Sequence, residues 1–422
     1  MDILIKNAII LHKGSPYHLQ KKDLLIADGK IQEIGDNIAV GDTVKILSGN
    51  KLYCTIGLCD IGTQSGEPGH EHRETIHSLT TAALKGGFTT LFVSPNNSPA
   101  TQTRADIRYL KNHPDRQHVE IHAIGALSQD LKGKDINEYM DMAAEGVKVV
   151  SDGLLGVQSV GLLDRSMLYA WNAGISLLLF PDNIELSHGG QMHEGAVSTS
   201  LGLKGVPDVA ETQFVQRDIS MLSYNSGHII EHGISSAVSV QMIRKAVSEG
   251  VHINATVPYL NLLFSDASMT DFDTNLKVHP VLRTDADRLA LIEGLKNDTI
   301  NAICSNHVPL DTEDKDLEFS YAQFGAMGLE TCLPALMDGL ADQLNIEIIA
   351  DKLTRGPRSL FNLDIPDIEI GAEAELCVFD TQSAYLFSKN NLASLCENNP
   401  FINQTMHTQV KATIIGNNIF EL

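Results

Sequence analysis

Short apolar runs, each followed by a longer stretch whose apolar positions recur three and four residues apart, fill the middle of this sequence. The runs fall at residues 55–62, 89–93, 119–124, 147–150, 175–180, 228–231, 251–257 and 300–305. Stretches 74–85, 165–172, 238–248 and 287–296 have helical length and period. Eight such units in alternation predict an α/β protein built on a (β/α)8 TIM-like barrel. In that architecture the chemistry sits at the C-terminal ends of the strands. Both ends of the chain read differently. Apolar runs at 3–11, 24–27 and 31–34, with Asp28-Gly29 between the last two, predict strands and a hairpin, since glycine tolerates the positive φ of such turns. Runs at 374–379 and 413–415, with a turn at 416–418, answer them at the other end. A small β-sandwich domain of residues 1–53 and 365–422, flanking a barrel of 54–364, is the expected organisation.

Composition narrows the function. Hydrophobic residues make up 43% and charged residues 20% of the chain, the balance of an ordinary globular protein. Lys and Arg total 31 against 53 Asp and Glu, a net charge of −22 that repels a phosphate backbone, so nucleic acid is not an expected partner. The longest apolar stretch, 175–180, falls far short of the ~20 residues that cross a bilayer, and no membrane association is expected. The opening Met1-Asp2-Ile3-Leu4-Ile5-Lys6 lacks the pattern of a secretion signal, which leads to an expected cytoplasmic location. Six cysteines without a CxxC suit reduced, buried thiols better than a disulfide frame or a zinc site.

The strand ends carry a resemblance. Residues 56–69, Ile-Gly-Leu-Cys-Asp-Ile-Gly-Thr-Gln-Ser-Gly-Glu-Pro-Gly, are similar to the first-strand signature of the dihydroorotases, metal-dependent amidohydrolases in which Asp leads into His-x-His-Leu-Arg-Glu-Pro-Gly. Asp60 and Glu67-Pro68-Gly69 pin the register, so the family's two histidines fall on Gly62 and Gln64 and its arginine on Gly66. Gly86-Gly87-Phe88-Thr89-Thr90, Met192-His193-Glu194-Gly195, Val281-Leu282-Arg283 and Phe324-Gly325-Ala326-Met327-Gly328 agree, and the resemblance spans nearly the whole chain.

That resemblance implies zinc held at the strand ends, and here most of the implied ligands are replaced. At the fourth strand only one of two aspartates remains, leaving Asp152 and Gly153 as the corresponding pair. Phe180 stands at the fifth-strand ligand. The sixth-strand histidine falls on Gly233, or on His232 with a shift of one residue. The eighth-strand catalytic aspartate becomes Asn306, beside His307. An amide cannot take up the proton that a carboxylate base would. Of the implied substrate contacts, Gly66, His279 and Leu310 are replacements, whereas Asn96, Phe324 and Gly325 persist.

The leading expectation is therefore a pseudo-dihydroorotase of pyrimidine biosynthesis that binds no cofactor. What the resemblance implies for it is a scaffold role, holding aspartate transcarbamoylase in an assembly, with a homo-oligomer expected. An active dihydroorotase or other cyclic-amide hydrolase is the alternative, either with zinc at a shifted site of His232, Asp152 and the His70/His72 pair or without metal. Small-molecule sensing in the vestigial pocket is a third reading. His70 and His72 otherwise read as surface residues at the start of a helix, and His307 as a histidine without an acid partner. Asp60, Asp182, Glu231 and His232 offer a different acid–base pocket, against their more ordinary use in loops and caps.

Overall fold

A computed structural model of the chain describes residues 2–421. Strands Leu58–Thr63, Phe88–Val93, Glu120–Ala123, Val149–Ser151, Ser176–Leu179, Ile229–Glu231, Ile253–Pro258 and Ala302–Cys304 follow one another in chain order around a parallel barrel. Gly125–Ala126 carries the ladder from the third strand to the fourth. The last strand meets the first through a side chain. Ser305 donates from its backbone N–H and its hydroxyl to Asp60, both at 2.6 Å, and the Thr63 hydroxyl donates to the same carboxylate. Inside lie Cys59, Ile61, Phe92, Ile124, Val149, Leu178, Ile230 and Ala302, the inward half of each strand's alternation.

The helices expected at 74–85, 165–172, 238–248 and 287–296 are present as Ile76–Gly86, Val160–Ala173, Ala237–Ser248 and Asp285–Lys296. Thr75, Ser159, Ser236 and Thr284 cap their N-termini by accepting backbone N–H bonds. The second begins earlier than its apolar period suggests, because Val160 and Gly161 in its first turn face outward. The run at 55–62 is two strands. Leu52–Ile56 pairs with Ile3–Ile10 and Glu375–Asp380 in the terminal sheet, whereas Leu58–Thr63 enters the barrel. Gly57 makes the break, since a Cβ there would sit 2.7 Å from the Cβ of Thr89.

Both chain ends share one ladder of eight strands around a core that includes Ile3, Ile5, Leu24, Ile26, Leu376, Val378 and Ile414. The hairpin turn at Asp28 (φ 51°) and Gly29 (φ 76°) has the doubly positive φ of a type I′ turn. Arg358, 2% exposed, ties this sheet to the barrel. Its guanidinium donates to the Gly57 carbonyl at 2.7 Å, to the Thr89 and Thr90 hydroxyls at 3.2 Å and to Glu375 at 2.6 Å. All six cysteines are buried and unpaired. Among the described residues no helix is long and apolar enough to cross a membrane.

Candidate functional site

At the C-terminal mouth of the barrel the residues that stand in for metal ligands pack against one another. Gly62 has φ +83°, and the ring of His232 occupies the space its side chain would need, with Cε1 2.9 Å from an ideal Cβ. His232 points inward from the sixth strand, and its Nδ1 lies 2.8 Å from the Thr256 hydroxyl. Burial pulls its pKa down to about 4, so the imidazole is neutral at physiological pH. Gly153 is filled in the same manner. A Cβ there would lie 2.6 Å from the Asn96 amide carbon, so Asn96 plugs the vacated space and accepts a bond from Ser94.

Asp152 is turned toward the third strand. Its carboxylate accepts from the Ser128 N–H at 2.8 Å and hydroxyl at 2.6 Å, and burial raises its pKa. Phe180 packs against His279 with the rings tilted by 52° and their centroids 4.7 Å apart, and His279 lies 5.5 Å from Phe324. Gly233 abuts the same group, 3.4 Å from Phe180 for an ideal Cβ. Asn306 has φ +48° and donates its amide to the His279 carbonyl at 3.1 Å. Gln64 is half-buried, and its backbone N–H donates to the His307 carbonyl. At Gly66 a Cβ would meet the Glu74 nitrogen at 2.6 Å, so the loop has closed over the place of the family's arginine. Gly325, at φ +149°, presses on Val308, and the implied histidine position, Leu310, is buried beside it.

Zinc needs three or four N, O or S donors converging at about 2.0–2.3 Å. A glycine, a phenylalanine and an amide committed to a backbone carbonyl cannot supply them, Asp152 is engaged by Ser128, and the Nε2 of His232, turned to Gly62, is one donor where three are needed. Among the described residues no group of three or more His, Cys, Asp or Glu side chains is arranged to hold a metal ion. The residues present do not fit the group that the resemblance implies.

The shifted metal site does not assemble either. His70 and His72 lie in a turn ahead of the helix at Ile76–Gly86, not at its start, with rings 6.0 Å apart, and His72 faces Asp311 at 3.4 Å. The alternative acid–base pocket is likewise dispersed. Asp60 serves the barrel seam, whereas Asp182 holds Ser187 and lies 3.7 Å from His279. Glu231 points outward to the buried carboxyl of Asp218 on helix Val209–Tyr224.

His307 corrects the expectation of a histidine without an acid partner. Its Nδ1 accepts the Gly328 N–H at 3.2 Å, so the proton sits on Nε2, 3.4 Å from the buried carboxylate of Glu74. Glu74 also accepts from Ser78 and Ser394, knitting strand, helix and C-terminal segment together. Sequence reasoning passed over Glu74 because nothing near residue 74 marks it as buried. Arg283 anchors its loop, donating to Ser235 at 2.8 Å and Glu211 at 3.2 Å.

A pH prediction follows from Glu231 and Asp218. Burial raises both pKa values; Asp218 raises Glu231 further, while Arg217, 2.6 Å from Asp218, works against this. A carboxyl whose folded pKa exceeds its unfolded one binds protons more tightly when folded, so stability is lost as pH rises through that interval. Glu231→Gln is expected to stabilise the fold by about 1–2 kcal/mol at neutral pH and by almost nothing near pH 4. Urea unfolding at the two pH values checks this, and an equal effect at both would refute it.

Comparison with known proteins agrees with the fold. A family model described as dihydro-orotase-like matches residues 52–237. The chain is 34% identical over 421 residues to a dihydroorotase of Pelotomaculum thermopropionicum, covering 99% of this chain and 98% of that one. With a dihydroorotase of Acetivibrio thermocellus it shares 33% identity over 94% of each. Among solved structures, an L-hydantoinase (dihydropyrimidinase) from Arthrobacter aurescens superposes with a TM-score of 0.84 at 20% identity, covering 99% of this chain and 95% of that one. A D-hydantoinase (dihydropyrimidinase) from a Thermus species gives 0.80 at 19%, over 99% and 94%.

Proposed function

The chain belongs to the dihydroorotase family, and from that premise we propose that it is a non-catalytic member, a pseudo-dihydroorotase serving pyrimidine biosynthesis as a structural component. The observation that carries this reading is the packing at the mouth. His232 fills the place of a Gly62 side chain, Asn96 that of Gly153, and Phe180, His279 and Phe324 form one cluster of mutually tilted rings at the opening. A vacated metal site that kept its shape would leave room for replacement ligands. Here the freed volume is taken by neighbours in close contact, and Asn306 is spent on a backbone carbonyl.

The partner we propose is aspartate transcarbamoylase, in a cytoplasmic assembly containing more than one copy of this chain. Co-purification of the tagged full-length chain with the aspartate transcarbamoylase of the same organism tests it. The expected result is a complex that survives gel filtration at micromolar concentration and raises the activity of the transcarbamoylase. Separate elution of the two proteins at that concentration contradicts the partnership.

A hydrolase of a cyclic amide is the second reading, and the relatives favour it, since those matched over nearly their full length carry the name dihydroorotase. It requires catalysis without the family's ligand set, because Gly62, Gln64, Phe180 and Asn306 contribute no metal donor of the expected kind. Turnover of dihydroorotate or carbamoyl aspartate by the purified chain with zinc supplied would establish it.

A further inference from the structure

The N-terminal mouth of the barrel, opposite the family's active-site face, holds a cavity of about 840 Å³. Barrel interiors are ordinarily filled by apolar layers. The layer here is polar. Ser176, His228 and Asn254, at the starts of three neighbouring strands, lie on the same inward alternation as Leu178 and Ile230 and line the cavity. The Asn254 amide donates to His228 Nε2 at 2.6 Å, which leaves the ring proton on Nδ1, 2.6 Å from the Ser176 oxygen. With the amide in this orientation Ser176 accepts from the ring, and its own O–H is free to donate. Burial and the nearby His252 lower the pKa of His228, so the ring adds no charge of its own.

The charged groups on the opposite wall do not cancel. Lys352 is consumed by Asp298 at 2.7 Å and the Ile300 carbonyl at 2.7 Å, and Lys13 is paired with Asp351 at 3.1 Å. Arg355 is left over. Its closest acid, Asp351, stands 3.9 Å away, beyond hydrogen-bond range, and its Nε is buried without a partner. A half-buried guanidinium with unused donors matches a carboxylate or phosphate, which it grips with two parallel bonds. At the rim lies Trp171, 59% exposed and the single tryptophan of the sequence. An exposed indole beside a cationic, donor-lined cavity provides a stacking face for a flat ring.

We propose that this cavity is a binding site for a planar organic anion, a ring bearing a carboxylate or phosphate, with the anion on Arg355 and the ring against Trp171. The site uses no residue of the family's active-site face and does not depend on whether the chain is a hydrolase.

Because Trp171 is the only tryptophan, its fluorescence reports on this cavity directly. Benzoate and phenyl phosphate are titrated into the full-length protein, with benzamide and inorganic phosphate as the ring without charge and the charge without ring, and calorimetry follows the same titrations. The expected result is saturable quenching with a dissociation constant near or below about 1 mM for at least one ring anion, and at least tenfold weaker binding of both controls. The preference between benzoate and phenyl phosphate identifies the anionic group. Arg355→Met, which removes no hydrogen bond seen in the fold, should weaken binding at least tenfold with an unchanged melting temperature, and Trp171→Phe should abolish the optical signal. Absence of saturable binding by either method up to about 10 mM, or Arg355→Met binding like the parent, overturns the proposal.

Discussion

Gly62→His, which restores the first histidine of the family's signature, is expected to destabilise the protein by about 2–4 kcal/mol without creating a metal site. Two effects add. A non-glycine residue at φ +83° sits in the left-handed region, and the new side chain would run into the His232 ring. Adding His232→Ala in the same chain removes the overlap but not the backbone strain, so about half the loss should return. Gln64→His on top should leave zinc content where it began, because Phe180 and Asn306 still supply no donor of the family's type. Urea unfolding and elemental analysis of the three variants check these outcomes. A Gly62→His protein as stable as its parent, or a Gly62→His/His232→Ala/Gln64→His protein carrying stoichiometric zinc, would show that the mouth is still open to metal.

Arg358→Leu is expected to have a still larger effect on stability, about 3–5 kcal/mol, because it takes a buried guanidinium away from four partners beyond the Thr354 carbonyl of its own helical turn. Those partners belong to the strand break at Gly57, the second barrel strand and the terminal sheet, so the loss falls on the joint between the two parts of the fold. Glu375 would lose its ion-pair partner, and the Gly57 carbonyl its side-chain donor. Arg358→Lys should recover only part, since one ammonium cannot reach partners on two strands and at the Gly57 break with the geometry of a planar fork. Denaturant midpoints of the two variants measure the difference. A shift for Arg358→Leu no larger than that of a surface substitution, within about 0.5 kcal/mol, would remove Arg358 from its place as the tie.

The barrel was legible because its signals are local. Each strand is a short apolar run and each of the four helices expected from the sequence a run of apolar positions on one face behind a Thr or Ser cap, and these periods survive in the sequence even where tertiary contacts add to them. The terminal strands were legible for the same reason, with Asp28-Gly29 marking its own turn. What the periods hide is where a strand changes sheet. Residues 55–62 are apolar on both sides of Gly57, and only the contacts with Thr89 and Glu375 cut the run in two.

At the mouth, the identity of each replacement could be read by aligning motifs, but its consequence could not. Nothing in the spacing of Gly62 and His232 says that one ring fills the other's vacancy, since they lie on the first and sixth strands and meet only when the barrel closes. The partners of His307 and Asp152 were hidden for the same reason. Glu74 belongs to the loop before a helix and Ser128 to the loop after the third barrel strand, and neither carries a local mark of burial. Arg358, Ser176, His228 and Asn254 are invisible to motif reading, because a buried arginine and a polar rung at the foot of a barrel break the pattern that assigns polar residues to the surface.

On the proposed reading, the metal-dependent chemistry of the family has been dismantled in this chain. The most direct test of that reading is to purify the full-length protein with zinc supplied throughout, then measure bound metal by elemental analysis and the interconversion of carbamoyl aspartate and dihydroorotate in the same preparation. Zinc far below stoichiometric and no turnover above that of the Asn306→Ala variant are expected. Stoichiometric zinc together with turnover that Asn306→Ala abolishes would contradict it.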